Sequence, residues 1–497
     1  KKIAVVHNGI IENYQEFKDF LKKEGFVFYS ETDTEVIPNL IEYEMRKGKN
    51  FEEACKDAFK NIEGNYAILA IHEDEKKIIA ARNGSPLVIG VGNGEYFASS
   101  DIPAFLEFTQ NVIYLHDKDF VVLSEEMKFY NIDEEREVKR EVKSVEWKLE
   151  QVKKGNFEHY MLKEIFEQVE TIQRSINQDE KILRRISRKI KEADRVFLIG
   201  CGTSYYACLT ASYLFSKIAK RYVDAVLASE FLNYEGFLTE KTLVIAVSQS
   251  GETVDVLEAI KTAKKKRSKV ISIVNVVGSS LHRNSDQALL MNAGPEICVL
   301  STKTYTSQLA ILTLLAYALA GKYEEGRNKL KYLWNLIYNL TSESMREHLK
   351  IIAERLKDKE HLFLIGRGLQ YPTALEAALK IKEVSYIHAE AFAGGELKHG
   401  TIALIENGTP CIVFVSEENE KEIISNAYEI KARGGYIIGI SSKRNEVFDF
   451  WIKVPEVGET NPICQIIPIQ ILAYQLAVLR GYDPDKPRNL AKAVCVK

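Results

Sequence analysis

The sequence predicts a chain of α/β and α+β class, with two doubly wound parallel-sheet units behind a mixed amino-terminal domain. Three observations predict it. "VFLIGCGTSY" (196–205) recurs as "LFLIGRGLQY" (362–371), and "VISIV" (270–274) as "YIIGI" (436–440), both at an offset of 166. Each apolar run is short and β-branched and precedes a helical pattern, as parallel strands buried on both faces by crossover helices do. The first 130 residues, by contrast, alternate strands and helices with no such repeat.

The chain opens with "KKIAVVHNGIIENYQEF" (1–17), in which Ala4-Val5-Val6 reads as the end of a strand and His7-Asn8-Gly9 as a sharp turn out of it. "NYAILAIHEDEKKIIAARNG" (65–84) reads as two strands joined by a charged turn, and "SPLVIGVGNGEYFASSD" (85–101) as further strand. The charged stretch 132–156 has little apolar periodicity and is expected to be a final strand plus an exposed linker. The boundaries that follow are residues 1–150 for the first domain, 151–330 and 331–483 for the two repeats, and 484–497 for a proline-punctuated tail.

Composition excludes several function classes. With 46% hydrophobic and 28% charged residues the chain is globular rather than disordered. A net charge of −3 gives no pull toward nucleic acid or membrane. The basic run "KTAKKKRSK" (261–269) ends a helical pattern, where cations suit the helix dipole. The longest apolar stretch is taken to be "LAILTLLAYALA" (309–320), too short to span a bilayer and read as a buried helix. The seven cysteines (Cys55, Cys201, Cys208, Cys298, Cys411, Cys464 and Cys495) form no CxxC pair and are odd in number. That argues for a reducing, cytoplasmic setting without disulfide framework or zinc site.

Ligands of open parallel sheets sit at the carboxyl ends of strands. "GCGTSY" (200–205) departs from the dinucleotide fingerprint, and "GVGNGE" (90–95) lacks a following helix. "SQSGET" (248–253) ends one strand and opens the helix "VDVLEAIKTAKKK" (254–266). It offers Ser248, Ser250 and Thr253 hydroxyls, a close backbone approach at Gly251 and free helix N–H groups. Such a loop suits a phosphate, and with no P-loop lysine a phosphosugar, although a plainly capped helix has the same residues. The second copy has "SEENEK" (416–421) there, whose carboxylates oppose an anion. Its own candidate is "ALEAALKIKEVSYIHAEAFAGGELKHG" (374–400): Glu376, Lys380 and Glu383 form one helical stripe, either a salt-bridge ladder or a site, and His399 lies between glycines.

These residues carry a resemblance. "HNGIIENY", "SETDTEVI" (30–37), "HYMLKEIFEQ" (159–168), "CGTSY", "SQSGET", "STKTYTSQL" (301–309), "LKIKEVSYIHAEAFAGGELKHG" (379–400) and "KPRNLAKAV" (486–494) occur in the order seen in glutamine–fructose-6-phosphate aminotransferases (isomerizing). The chain resembles that family, the glucosamine-6-phosphate synthases, over essentially its whole length. The resemblance implies a glutaminase domain of the N-terminal-nucleophile type followed by two sugar-isomerase (SIS) domains. It implies a homodimer without cofactor or metal that moves the amide nitrogen of glutamine, through an internal channel, onto fructose 6-phosphate. The product is glucosamine 6-phosphate, at the first step of amino sugar biosynthesis.

By the same resemblance Thr203, Ser204, Ser248, Gln249, Ser250, Thr253 and Ser301 contact the sugar phosphate. Lys492 forms a Schiff base with the open-chain ketose, Glu383 moves a proton between C1 and C2 beside Lys380, and His399, donated by a neighbouring subunit, opens the ring. Asn8 and Gly9 match an oxyanion hole, and Asp33 the ligand of glutamine's α-amino group. The family's nucleophilic cysteine precedes these positions, so a truncated glutaminase domain lacking that nucleophile is expected. Val169 stands where the family commonly has proline, which suggests a local change in helix entry. The alternatives are a glutamine-independent SIS-domain isomerase or deglycase, and a phosphosugar sensor.

Overall fold

The computed structural model describes residues 2–494; Cys495 lies outside them. The strand Ile3–Ile11 does not turn at His7. It runs on through His7, Asn8 and Gly9, paired antiparallel with Ile68, Ala67 and Tyr66, and the chain turns only at Glu12 and Asn13. Gly9 explains the misreading. It has φ +134°, and a Cβ there would stand 2.0 Å from the Asn65 carbonyl oxygen. Glycine is therefore required for close strand pairing rather than for a turn.

Strand periodicity places Ile3 and Val5 against a layer of helices and leaves Ala4 and Val6 facing outward. Those helices, Tyr14–Lys23, Val36–Arg46 and Phe51–Asn61, cover a six-stranded antiparallel sheet through Leu21, Ile37, Ile41 and Phe59. The last begins at a capping box made by Asn50 and Glu53. A four-stranded sheet packs on the opposite face through Ile89, Ile113 and Leu115. The stretch 85–101 is a hairpin of two short strands, Val88–Val91 and Tyr96–Ser99.

The expected linker is a strap tied down at both ends. Lys143–Ser144 pairs with the smaller sheet, and Arg140 clamps the fully buried Asp119 through hydrogen bonds of 2.7 and 2.5 Å. Farther along, Lys163 Nζ donates to the carbonyls of Glu150, Gln151 and Lys153.

The two repeats have one topology. In spatial order the first sheet runs Asp224–Leu227, Arg195–Gly200, Thr242–Ser248, Lys269–Val274 and Gln287–Leu290. The second runs His388–Ala393, His361–Gly366, Pro410–Phe414, Tyr436–Ser441 and Phe450–Lys453. All pairings within both sheets are parallel. One apolar core continues through both units, from Ile165 and Leu183 to Leu472 and Leu476.

The longest apolar helix is not the one singled out in the sequence. It is Asn461–Leu479, which carries Pro468, and its apolar window is long enough to cross a membrane. That window is 83% buried inside the protein, so it is the core helix of the second unit. Polar side chains on it reach the first unit: Gln470 Oε1 accepts from Gln168 at 2.7 Å, and Gln470 Nε2 donates to the Thr302 carbonyl. Val169 follows Gln168 in mid-helix, within Tyr160–Ser175, so its substitution for proline bears on a helix interior and not on the helix entry.

A buried ion pair joins the amino-terminal domain to the first repeat. Arg82, only 2% exposed, donates to the carbonyls of Ser85 and Leu115 and, across the boundary, to Glu252 Oε2 at 2.8 Å and Ser280 Oγ at 3.0 Å. Breaking a buried pair from one side costs roughly 3–5 kcal/mol, because the remaining charge is stranded. Arg82→Leu is therefore expected to loosen this docking and split one thermal unfolding transition into two. Calorimetry with a single unchanged transition would count against that role.

Candidate active site

The hydroxyl loop lies at the carboxyl end of the first repeat's central strand. Ser248 Oγ accepts from Gly251 N at 3.0 Å and lies 3.2 Å from Thr253 Oγ1, while Ser250 Oγ accepts from Glu252 N. Gly251 has φ +69°, and a Cβ there would come 2.2 Å from Ser279 Oγ. The loop is thus shaped by glycine and fastened by its own hydroxyls. Gln249 and Ser250 face a cavity. Thr203 and Ser204 open the helix Thr203–Ala219, and Ser204 Oγ accepts from Gln308 Nε2 at 3.1 Å. Ser301, half-buried, comes just before the helix Lys303–Leu319.

The stripe on the helix Gln370–Ser385 is a buried triad rather than a surface ladder. Lys380 Nζ lies 2.7 Å from Glu383 Oε2 and 3.4 Å from Glu376 Oε1, and the side chains of Lys380 and Glu376 are 0% exposed. Thr203 of the first repeat bridges them, donating to Glu376 at 3.2 Å and accepting from Lys380 at 3.0 Å. Burial pushes the Glu376 carboxyl up to about 8, with the Lys380 charge opposing. Burial works against the Lys380 ammonium, but the two carboxylates outweigh it and hold the lysine firmly protonated.

Among its described residues, 484–494, the tail has no helix or strand and is held by hydrogen bonds to the first repeat. Asp485 accepts from the N–H groups of Tyr160 and Met161 at the start of their helix, and Val494 O accepts from Val254 N at the start of another. Between these anchors Lys492 Nζ donates to Glu296 Oε2 at 2.9 Å and to the Cys298 carbonyl at 2.6 Å. Lys492 faces the cavity that Gln249 and Ser250 line. That cavity, of about 460 Å³, extends to His7, Asn8 and Gly9 in the amino-terminal domain. There Asp33 accepts from Ile11 N at 2.8 Å, and His7 Nδ1 meets Thr34 Oγ1 at 3.0 Å.

The structure therefore brings together Lys492, Gln249, Ser250, Asn8 and Gly9 on one cavity, and Thr203, Lys380 and Glu383 in one cluster. It does not bring His399 to either; that residue is exposed at the end of the turn Gly394–His399. Sequence reasoning missed Glu296, Arg82 and Glu164. "GPEIC" and "EEREV" look equally unremarkable, and nothing in spacing marks a carboxylate that meets its lysine only through the fold. Among the described residues no cluster of three or more His, Cys, Asp or Glu could hold a metal.

Residues 189–318 and 355–480 match the SIS domain family, and residues 1–107 match a glutamine amidotransferase domain. Over its whole length the chain is 46% identical to a glutamine–fructose-6-phosphate aminotransferase (isomerizing) of Thermococcus kodakarensis, covering 85% of that protein. It is 44% identical to the enzyme of that name from Pyrococcus horikoshii, covering 84%. Among solved structures, the C-terminal domain of glucosamine-fructose-6-phosphate aminotransferase from Francisella tularensis superposes with a TM-score of 0.63 at 36% identity, over 67% of this chain and all of that one. A glucosamine-6-phosphate deaminase of Thermotoga maritima superposes with a TM-score of 0.56 at 28% identity, over 67% of this chain and 99% of that one.

The triad has a consequence for stability. A carboxyl whose pKa is raised on folding binds its proton more tightly in the native state, so its contribution is full below the unfolded value and is lost as pH rises through the folded one. Glu376 loses that contribution between its ordinary range and about 8. Glu376→Gln, neutral throughout, is expected to escape this loss. The thermal midpoint of the unsubstituted protein should fall relative to Glu376→Gln between about pH 5 and 9; parallel curves would deny the raised pKa.

Proposed function

This chain belongs to the family of glutamine–fructose-6-phosphate aminotransferases (isomerizing), and from that premise we propose how its own residues carry the reaction. The activity is synthesis of glucosamine 6-phosphate and glutamate from fructose 6-phosphate and glutamine. The observation that carries the assignment of residues is the shared cavity, which has Lys492 and the hydroxyl loop on one wall and Asn8 and Gly9 on another.

In this reading residues 1–150 belong to the glutaminase part, 151–330 and 331–483 are the SIS units, and 484–497 form the tail. Ser248, Gln249, Ser250 and Thr253, with Thr203, Ser204 and Ser301, hold the sugar phosphate. The Lys492 amine adds to C2 of the open-chain ketose and water leaves, giving an iminium. Ammonia then adds to this C2 iminium and the Lys492 amine leaves, so that C2 carries the transferred nitrogen and the lysine is free again; the new iminium acidifies the C1 hydrogens. Glu383 takes a proton at C1 and returns it at C2, a transfer between adjacent carbons that one carboxylate can perform. Lys380 holds that carboxylate by their 2.7 Å ion pair. Asn8 and Gly9 form the oxyanion hole of the amide cleavage and Asp33 binds glutamine's α-amino group, while the cavity passes ammonia between the two sites. None of these steps calls for a redox or metal cofactor. Phosphorylated sugars and six free cysteines among the described residues fit a cytoplasmic setting.

The exposed His399 fits a homodimer in which each chain opens the sugar ring in its neighbour's site. Two experiments test this reading. Lys492→Arg is expected to abolish the borohydride-trapped adduct with fructose 6-phosphate, and an adduct that persists would move the nucleophile elsewhere. Glu383→Gln and His399→Ala, each inactive in ammonia-dependent amination, should on reassociation regain about a quarter of the activity, since half the dimers are mixed and each has one intact site. No recovery would show that His399 serves its own chain or none.

A further inference from the structure

We propose that Glu296 is the base that accepts the ammonium proton of Lys492 and so readies its amine for attack; this rests on the reading of Lys492 as the imine-forming lysine. A protonated lysine has no lone pair to offer a carbonyl, so a proton must leave Nζ before the C–N bond forms. Two acceptors hold that Nζ, the Cys298 carbonyl at 2.6 Å and Glu296 Oε2 at 2.9 Å. Only the second can take up the proton.

Glu296 is built to stay in place. Its side chain is fully buried, Oε1 accepts from Thr302 N at 2.9 Å and Thr304 N at 3.2 Å, and Oε2 accepts from Thr304 Oγ1 at 2.7 Å. Its loop is pinned from behind by Glu164, whose Oε1 accepts from the N–H groups of Ile297 and Cys298. Burial works to raise the Glu296 pKa, yet the Lys492 ammonium and the hydrogen bonds from Lys492 and Thr304 hold it below the ordinary carboxylate value. The carboxylate also lines the cavity beside Lys492, so it stands where the amine meets its substrate.

The proton balance closes. Lys492 –NH3⁺ passes one proton to Glu296, and the neutral amine attacks C2 with a second proton moving to the former carbonyl oxygen. Glu296 returns its proton to that hydroxyl and water leaves. The iminium N–H remains, and Glu296 is an anion again.

A plainer role exists, because the same carboxylate caps the helix Lys303–Leu319. The pH profile separates the two. Other groups face the pair and must be controlled for. They are Glu164 and Glu167 from the helix Tyr160–Ser175, Lys303 from the capped helix, Cys298 in the loop, Asp101 from the amino-terminal domain and Lys380 from the second repeat. Burial pushes Glu164 up to about 8, inside the window of interest.

The test is the initial rate of adduct formation with fructose 6-phosphate, in samples aged at each pH and quenched into borohydride at one fixed pH. While the pair shares a proton, the unsubstituted protein should give a nearly level rate between about pH 6 and 9. Glu296→Gln should be about a hundredfold slower near pH 7 and rise about tenfold per pH unit, because the amine must then lose its proton to solvent. Glu296→Asp should restore the level profile at a lower rate. It also decides the matter if Glu296→Gln fails to bind glucose 6-phosphate. A profile for Glu296→Gln parallel to that of the unsubstituted protein, a steep one for Glu296→Asp, or a steep one for Glu164→Gln would each overturn the proposal. An adduct that persists in Lys492→Arg would instead overturn the lysine reading beneath it.

Discussion

A charge taken out of water must find its opposite, and in this protein it repeatedly does so across a boundary between units. Arg82 of the amino-terminal domain meets Glu252 of the first repeat. Lys380 of the second repeat meets its carboxylates on its own helix, and it reaches the first repeat through the neutral hydroxyl of Thr203. Lys492 of the tail meets Glu296. Each charge stranded alone would cost several kcal/mol. Each unit therefore requires the others in one arrangement, and the candidate site forms where these pairs converge.

That constraint also accounts for what could and could not be read from the sequence. The strands of the two repeats were legible because burial on both faces leaves β-branched runs that no surface element has, and duplication printed them twice. The Glu376–Lys380–Glu383 stripe was legible as a stripe, since helical spacing is local. Its burial was not, because that depends on Thr203 and the helix that presents it. His7-Asn8-Gly9 was misread as a turn because glycine serves turns and tight strand pairing equally well, and only the partner strand distinguishes them. The Asn461–Leu479 helix is hidden in the sequence because two prolines, which ordinarily mark helix boundaries, break its apolar run, although Pro462 merely opens the helix and Pro468 sits within it. Lys492 came from family resemblance alone. Its partner Glu296 could come only from the fold.

The two repeats also show how one topology is put to two uses. At the same strand end the first carries Ser248, Ser250 and Thr253 and the second carries Glu417, Glu418 and Glu420. In the second, the charge lies instead on the helix that follows the repeat's first strand, where Lys380 faces back into the first repeat. Sheet order and parallel pairing are alike, while the polar groups at the strand ends have divided the work.

The apolar helix Asn461–Leu479 carries this division into the history open to the chain. It packs against the helices Gln370–Ser385 and Glu343–Leu356 of its own repeat, and also reaches Tyr160–Ser175 and Lys303–Leu319 of the other. A mutation on its surface is thus felt by both repeats at once. The halves, though alike in topology, cannot be traded singly between relatives without exposing a helix apolar enough for a membrane. They are inherited as one module, and drift in either is answerable to the other.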